Sequence, residues 1–593
     1  MTTLLLLACL AFAGDDATAA SAAPPPVRAL PTLPTDAPVL ERALHAELQR
    51  ALDGLKLPDA PAPFLMTASA TEGYTVNVLA RNGAIVKSDA APMRNARLES
   101  HIGSYQSDSA AFDDFGPSGQ LLRRLPFGDD ELALRRTLWL GFDAAYKGSV
   151  EQYAAKNAAR RGKPAPKGPD LLAAPVVQTT GPVPEMPAPL ASEALERVAT
   201  RLSRAARVDP RIEIADVDAF RWTGRRVLLA SEQTRTWSSG GWTVVRLTAV
   251  ARLPDGSQVF DERAWVARDE ASLPAIEVME EEARTMGRAM VALTNASVEE
   301  NWLGPVVFQG QAAVELFSQL LVPEISGTPP AESGGDGPVT PPSSRIGRRV
   351  LPDGWSVRDD VPGHPEALGA YLTDHDGVAP RAVELVEDGV VRDVLMSRLP
   401  RADRQASTGH ARAIGGARRE AMPAVVEVTP PKTMARTKLE RQALKRAREV
   451  GHDRVLVVTH LSPAANDGIG LSVTGGDTPA GLTSPTEAHM LYRDGRRVPV
   501  RGLHFSGVDR RTLRDIVASS PGEGWTTVMD STAGPGRYLV GPTGGLPVTW
   551  SVPDVLVAEM ELLGSGGGEP RVISLTPAAA GSTAAGSTAA GTK

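Results

Sequence analysis

The stretch that most limits the fold of this 593-residue chain runs from residue 304 to residue 321. The apolar run at 306–308 has the character of a buried β-strand, and it turns through Gly310 into a segment with helical spacing. Four apolar residues recur at i, i+3, i+4 and i+7 and so share one face of a helix: Ala313, Leu316, Phe317 and Leu320. The stretch therefore predicts a buried strand that leads into a helix packed beneath a sheet.

Turn signals and apolar periodicity predict an α+β fold with mainly antiparallel sheets. Asn-Gly and Asp-Gly pairs between alternating runs favour β-hairpins, because the turn residues need positive φ. Four such hairpins are predicted, at residues 82–83, 255–256, 388–389 and 494–495. Besides the helix after Gly310, five amphipathic helices are predicted, at 38–55, from 129 to about 150, at 191–206, at 276–290 and at 436–450. Strand runs mixed with helices in this way are typical of α+β proteins.

The length of the chain predicts more than one domain, because a single hydrophobic core rarely organises so many residues. We predict an N-terminal α+β domain over 38–300, with a frayed helix end and a solvated Pro- and Ala-rich linker at about 160–190. A β-rich C-terminal domain is predicted over 301–563. Residues 564–593 consist mostly of Gly, Ala, Ser and Thr and are predicted to be disordered. The net charge of −7 argues against a nucleic-acid-binding protein.

The first residues predict export. Residues 4–13 form a short apolar run, and small-x-small patterns follow at 11–13 and 17–19, so we predict a signal peptide over 1–19 and a flexible linker over 20–37. The alternative is a lipoprotein in which Cys9 is lipidated. Cys9 is the only cysteine, so cleavage after it leaves no thiol for a disulfide, a nucleophile or a metal ligand. No other stretch approaches the length of a transmembrane segment.

Several segments resemble the TldD/PmbA family, once called modulators of DNA gyrase. The junction at 304–321 resembles the strand and helix that open the C-terminal half of that family. Further resemblances follow in family order at Asp374–Val378, Glu384–Val391, Ser407–Arg412, Val498–Gly502 and Ser551–Leu556. The N-terminal half resembles a secreted bacterial subgroup of the same family. The resemblance implies a two-part architecture and a peptide-accommodating cavity.

The departures from the family pattern concern its metal. Catalytic members carry His-Glu-x-x-x-His on the first C-terminal helix and a downstream cysteine, which together hold zinc. This chain has no histidine between His101 and His364 and no cysteine after Cys9. Glu315 remains near the motif, but a glutamate acts as a general base in such a site only through metal-bound water. The sequence therefore predicts no catalytic residue, no metal site and no cofactor.

Other candidate residues carry weaker signals. The densest set of possible metal ligands is His364, Asp374, His375 and Asp376, whose spacing matches no metal motif. His410 stands where the family box has asparagine and is predicted to be a hydrogen-bonding substitute. His452 and His460 flank a strand and are predicted to face solvent or backbone groups. The basic helix at 436–448 is predicted to be a solvated face rather than an anion site.

These observations leave three functional hypotheses. The leading one is a zinc-less, TldE-like chain that serves as a partner subunit or peptide-binding protein. Its partners would be a peptide or unfolded segment, and either a second copy or a zinc-bearing TldD-like chain. The first alternative is an active peptidase with a non-standard site. The second alternative is a structural envelope protein that reuses the fold, since a fold does not determine a function.

Overall fold

The computed structural model describes eleven parts of the chain: residues 29–112, 118–163, 166, 168–179, 181–299, 301–332, 346–413, 418–462, 482–509, 511–530 and 545–564. The predicted signal peptide at 1–19 and nearly all of the predicted disordered tail at 564–593 lie outside these residues.

Within the described residues the helices are α1 Val39–Gly54, α2 Glu131–Arg160, α3 Glu193–Ala206, α4 Ile276–Thr294, α5 Gln311–Ile325 and α6 Arg436–Glu449. The strands before α5 are β1 Pro63–Arg81, β2 Ala84–Ser104, β3 Ser107–Asp108, β4 Gln120–Arg124, β5 Ile212–Ala230, β6 Thr234–Arg252, β7 Gln258–Ala267 and β8 Asn301–Phe308. The strands after α5 are β9 Ser356–Asp359, β10 Val383–Glu387, β11 Val390–Val391, β12 Ala411–Arg412, β13 Glu420–Ala421, β14 Val425–Thr429, β15 Arg454–Leu461, β16 Pro485–Tyr492, β17 Arg497–Val500, β18 Leu503–Ser506, β19 Ile516–Ser520, β20 Trp525–Asp530, β21 Leu546–Ser551 and β22 Asp554–Gly564.

The N-terminal half is built on one antiparallel sheet with the order β3-β2-β1-β5-β6-β7, and β4 pairs with β2. Successive residues of a strand point to opposite faces. One face is apolar: Met66, Ala68 and Ala70 of β1 pack under α1 and α2, and Val76, Val78 and Ala80 pack under α3 and α4. The other face carries polar residues and meets the C-terminal half.

The strand–helix junction organises the C-terminal half as predicted. Val306 and Phe308 of β8 belong to the same core as α5, whereas Val307 between them packs with α6 on the other side of the sheet. This sheet has the order β17-β16-β15-β8-β22-β18, with β19 beside β22. A second sheet has the order β11-β10-β9-β14-β21-β20, and β12 pairs with β13. The apolar side chains of α5 share one core with residues of both larger sheets.

The prediction of an α+β fold with largely antiparallel sheets is confirmed, and so are the four hairpins. Asn82 and Gly83 have φ values of 52° and 87°, and Asp388 and Gly389 have 50° and 73°. Both pairs adopt the left-handed backbone that the turn requires. Only β8 with β15 and β14 with β21 pair in parallel among the described strands.

The structure corrects four local predictions. The segment 97–105, predicted to be a separate strand, is the second part of β2, and the long strand β5 has no counterpart in the predicted elements. The helix predicted from residue 129 to about 150 continues to Arg160, and Lys156 at the predicted frayed end is buried, donating to the carbonyls of Asp108 and Ala110 at 2.9 and 2.7 Å. Val450, predicted to face inward, is 48% exposed.

Among the described residues, none of the helices has the length and apolar character of a transmembrane segment.

Candidate functional site

Helix α5 carries the position at which the resemblance predicts metal ligands. With Glu315 at the glutamate of His-Glu-x-x-x-His, the two histidine positions fall on Val314 and Gln319. Val314 is buried and apolar. The Gln319 side-chain Nε2 donates to Glu315 Oε2 at 2.8 Å and to Thr483 Oγ1 at 3.0 Å, and its Oε1 accepts from the Thr483 backbone N–H at 3.0 Å. The side chain of Gln319 therefore joins α5 to the segment before β16.

These residues do not fit zinc. A zinc site in a peptidase needs three protein ligands of the histidine, cysteine or carboxylate type, with a position left for water. Valine has no donor atom, and the amide of Gln319 already uses both its oxygen and its nitrogen within the protein. No group of three or more His, Cys, Asp or Glu residues in the described part of the chain could hold a metal ion. Helix α5 therefore does not supply the ligands that a metal-dependent step would need.

The candidate ligands at 374–376 serve the backbone and the arginines around them. Asp374 Oδ1 accepts from the backbone N–H groups of Asp376 and Val378 at 2.9 and 2.8 Å, and its Oδ2 accepts from Ala411 N–H at 2.9 Å. Burial and the neighbouring Asp376 raise the pKa of Asp374 to about 7. The His375 Nδ1 accepts from Ala413 N–H at 3.0 Å. Asp374 and His375 thus hold the turn to β12.

His364 lies apart from this turn. Its ring packs against Trp525 with the ring centroids 4.7 Å apart, and its Nδ1 is 3.5 Å from Glu366. Within the described residues it contacts Trp525 and Glu366 rather than Asp374 or Asp376. The structure therefore does not bring the four predicted candidates together.

The remaining candidate histidines are also held by neighbouring groups. His410 is fully buried, and its Nδ1 lies 2.9 Å from Thr408 Oγ1. The His452 ring stacks on Trp302, and its Nε2 lies 2.8 Å from the Leu303 carbonyl oxygen. His460 lies 3.3 Å from Glu487, which also pairs with Arg263 of the N-terminal sheet.

The basic helix α6 is partly tied to its sheet. Arg436 pairs with the buried Asp554 at 2.8 Å, and Arg446 donates to the Ala558 carbonyl at 3.2 Å. These two arginines therefore contact β22 rather than only solvent.

A buried set of charges, not predicted from the sequence, lies where the polar face of the N-terminal sheet meets the C-terminal half. We call it the seam. Glu99 of β2 accepts from Thr67 at 2.9 Å, from Arg97 at 2.5 Å and from Arg419 of the C-terminal half. Burial alone would raise the pKa of Glu99, but Arg419 and Arg97 outweigh it and hold that pKa well below its usual range. Glu99 therefore remains a carboxylate inside the protein.

A second ion pair crosses the seam beside the first. Both Nη atoms of Arg398 donate to the Glu232 carboxylate, at 2.8 and 2.7 Å, and Nε donates to the Leu172 carbonyl at 2.7 Å. Tyr105 also donates to Glu232. Two adjoining cavities open along the seam, of about 190 and 40 Å³, and both are lined by Ala111 and Leu399. The seam therefore combines paired buried charges with two open cavities.

Comparison with known proteins finds one matching family model and several solved structures of similar fold. Residues 303–564 match the family model of the PmbA/TldA metallopeptidase C-terminal domain. No curated protein matches the chain significantly. Among solved structures, TldE from Thermococcus kodakarensis is 16% identical, with a TM-score of 0.56 over 89% of this chain and 100% of that one. A candidate modulator of a DNA gyrase from Thermotoga maritima is 15% identical, with a TM-score of 0.56 over 88% and 99%. A third, from Bacteroides thetaiotaomicron, is 12% identical, with a TM-score of 0.54 over 89% and 98%.

Residues 303–564 are therefore similar to the PmbA/TldA metallopeptidase C-terminal domain. At identities this low the solved structures show a shared fold over most of the chain.

Proposed function

We propose that this chain is a metal-free, TldE-like member of the TldD/PmbA family. In this proposal it binds peptides or unfolded segments and acts as a partner subunit, either with a second copy or with a zinc-bearing TldD-type chain. The observation that carries the proposal is the arrangement on α5. The two histidine positions hold Val314 and Gln319, and Gln319 is bonded to Glu315 and Thr483. A helix organised in this way has a structural role at the position where catalytic relatives hold metal.

The test uses the purified mature chain and a family member that carries His-Glu-x-x-x-His. Each is incubated alone and together with an unfolded peptide substrate, and the products are followed by mass spectrometry. We expect no hydrolysis by this chain alone, and formation of a complex, with or without the second chain, on size-exclusion chromatography. Hydrolysis by this chain alone would contradict the proposal and favour a peptidase with another site.

The substitution Glu315→Gln distinguishes the metal-free account from an active peptidase with a non-standard site. In the metal-free account Glu315 accepts a hydrogen bond from Gln319, which a glutamine oxygen can also accept, and the free energy of unfolding of the variant should lie within about 0.5 kcal/mol of the parent's. The measurement is denaturant unfolding together with peptide hydrolysis. A variant that unfolds like the parent but loses a measurable peptidase activity by orders of magnitude would show that Glu315 is a general base.

Export is the second part of the proposal, and it rests on the apolar run at 4–13 and the small-x-small sites after it. The protein would then reside in the periplasm or outside the cell. Mass spectrometry of the mature N-terminus should find Gly14 or Ala20 as the first residue. An intact Met1 in a cytosolic fraction would contradict export, and a lipid on Cys9 would replace cleavage by signal peptidase with lipoprotein anchoring.

A further inference from the structure

The smaller seam cavity has walls from both halves of the chain. Six of its polar lining residues carry the argument: Glu99, His101, Asp376, Ser397, Arg398 and Arg419. At about 40 Å³ it has room for one small polar group rather than a side chain. A cavity this small and this polar needs an occupant with hydrogen-bonding atoms, either water or part of a ligand.

His101 presents one ring nitrogen without a partner to this cavity. The side chain is only 7% exposed, and its Nδ1 lies 3.1 and 3.0 Å from the two carboxylate oxygens of Asp108. This contact fixes the ring. The other nitrogen, Nε2, makes no hydrogen bond within the described part of the chain, yet it is not among the atoms sealed from solvent. His101 is one of the residues that line the smaller cavity, so its Nε2 is the ring atom left to bond an occupant.

Arg419 supplies a second free group from the C-terminal half. It is 8% exposed, and its Nη1 donates both to Glu99 and, at 3.0 Å, to Asp376. In the described part of the chain Nη2 makes no hydrogen bond and is not sealed from solvent. Because Glu99 lies two residues before His101 on the same face of β2, the free groups of His101 and Arg419 lie around one carboxylate.

The chemistry of these groups favours an anion. Burial disfavours the charged imidazole of His101, but Asp108 and Glu99 outweigh it and raise its pKa, whereas Arg398 nearby lowers it. A protonated imidazole donates at Nε2, and a guanidinium donates at Nη2. The acidic groups on the wall already have donors: Glu99 accepts from Arg97 and Arg419, and Asp376 accepts from Arg419 and from the Arg398 backbone N–H. Charge-assisted donors of this kind bind carboxylates well.

The adjoining larger cavity indicates what the carboxylate is attached to. It shares Ala111 and Leu399 with the smaller one and has a volume of about 190 Å³. Five prolines line it: Pro166, Pro169, Pro329, Pro330 and Pro400. The charged residues that line it are already paired: Lys156 with Asp170, Glu332 with Arg160, and Arg401 with Asp403. It therefore offers an apolar wall to a short chain that continues from the carboxylate.

We propose that the seam binds the free C-terminal carboxylate of a peptide. His101 and Arg419 hold the carboxylate, and the proline-lined cavity holds the terminal side chain. This inference rests on the proposed function, because it assigns a place to the peptide that the chain is proposed to bind. It adds that recognition requires a free peptide end.

The test compares two probes that differ only at that end. N-acetyl-tetra-alanine with a free carboxyl and the same peptide as its C-terminal amide are titrated into the full mature chain by calorimetry. We expect the amide to bind about tenfold more weakly or worse, since it loses a charge-assisted contact. Sodium acetate is titrated as a third probe, to distinguish a small free acid from a peptide end.

Three variants locate the effect, and a thermal melt of each shows whether it is folded. His101→Gln removes the charged donor, and Arg419→Lys keeps the charge but removes the planar guanidinium. Each should weaken binding of the acid at least about fivefold and leave binding of the amide unchanged. His364→Gln is the matched control, because His364 packs on Trp525 and does not line the cavity. It should bind both peptides like the parent.

Four results would overturn this inference. If acid and amide bind equally, the chain binds peptides elsewhere, and the proposed function survives. If the acid binds better but folded His101→Gln and Arg419→Lys retain its full affinity, the carboxylate is held at another site. If acetate alone binds in a His101-dependent way and the peptide does not, the occupant is a small acid. If neither peptide binds, both the inference and the peptide-binding role are lost.

Discussion

Arg398→Met should lower the free energy of unfolding by about 3–5 kcal/mol, because it leaves a buried carboxylate without its cation. Arg398 is 4% exposed, and it is bonded through both Nη atoms to Glu232, which is 8% exposed. Methionine fills a similar length with apolar atoms, so the main change is the unpaired charge. The pair joins the two halves of the chain, so its loss should also weaken their contact. Denaturant unfolding, followed by fluorescence and circular dichroism, measures the effect.

Two further variants isolate the charge effect. Arg288→Met breaks a surface pair, since Arg288 and Glu281 are 55% and 59% exposed, and it should cost less than about 1 kcal/mol. The double variant Arg398→Met/Glu232→Gln removes the stranded charge and should recover part of the loss. A single Arg398→Met variant that is no less stable than Arg288→Met would show that the seam pair does not stabilise the fold.

Phe317→Ala should cost about 3–5 kcal/mol, because it leaves a cavity in the core around α5. Phe317 is fully buried, and its ring lies 6.3 Å from that of Trp355. The sequence places Phe317 on the inward face of the helix, and the structure confirms this. Thermal and denaturant unfolding of the purified variant provide the measurement.

The control for this variant is Leu372→Ala. Leu372 is 74% exposed, so its truncation should change stability by less than about 0.5 kcal/mol. If Phe317→Ala were as stable as Leu372→Ala, the α5 core would not be the packed centre that the structure shows.

The sequence predicts those helices and turns whose formation depends on residues close to one another in the chain. The period of α5 and the turn at Asn82-Gly83 are local signals, and both correspond to elements of the structure. Strand β5 escapes prediction because its polar face is covered by the C-terminal half. Arg226, for example, lies close to His375 there, although an arginine in an isolated sequence resembles a solvated residue.

The seam could not be predicted for a related reason. Glu99 and Arg419 are 320 positions apart, and Gln319 and Thr483 are 164 apart, so no periodicity links either pair. Amino-acid composition does not reveal these contacts either, because a buried ion pair and two unpaired surface charges consist of the same residue types. The separation of His364 from Asp374 could not be predicted either. The two residues are close in sequence, but Asp374 bonds to Ala411 and His364 packs on Trp525.

The zinc content of the mature protein tests the metal-free account most directly. The protein is expressed in zinc-replete medium, purified without chelators and analysed by elemental mass spectrometry, beside a family member that carries His-Glu-x-x-x-His. We expect less than about a tenth of a zinc per chain, because Val314 and Gln319 supply no suitable ligand pair. About one zinc per chain, retained through desalting, would contradict the account.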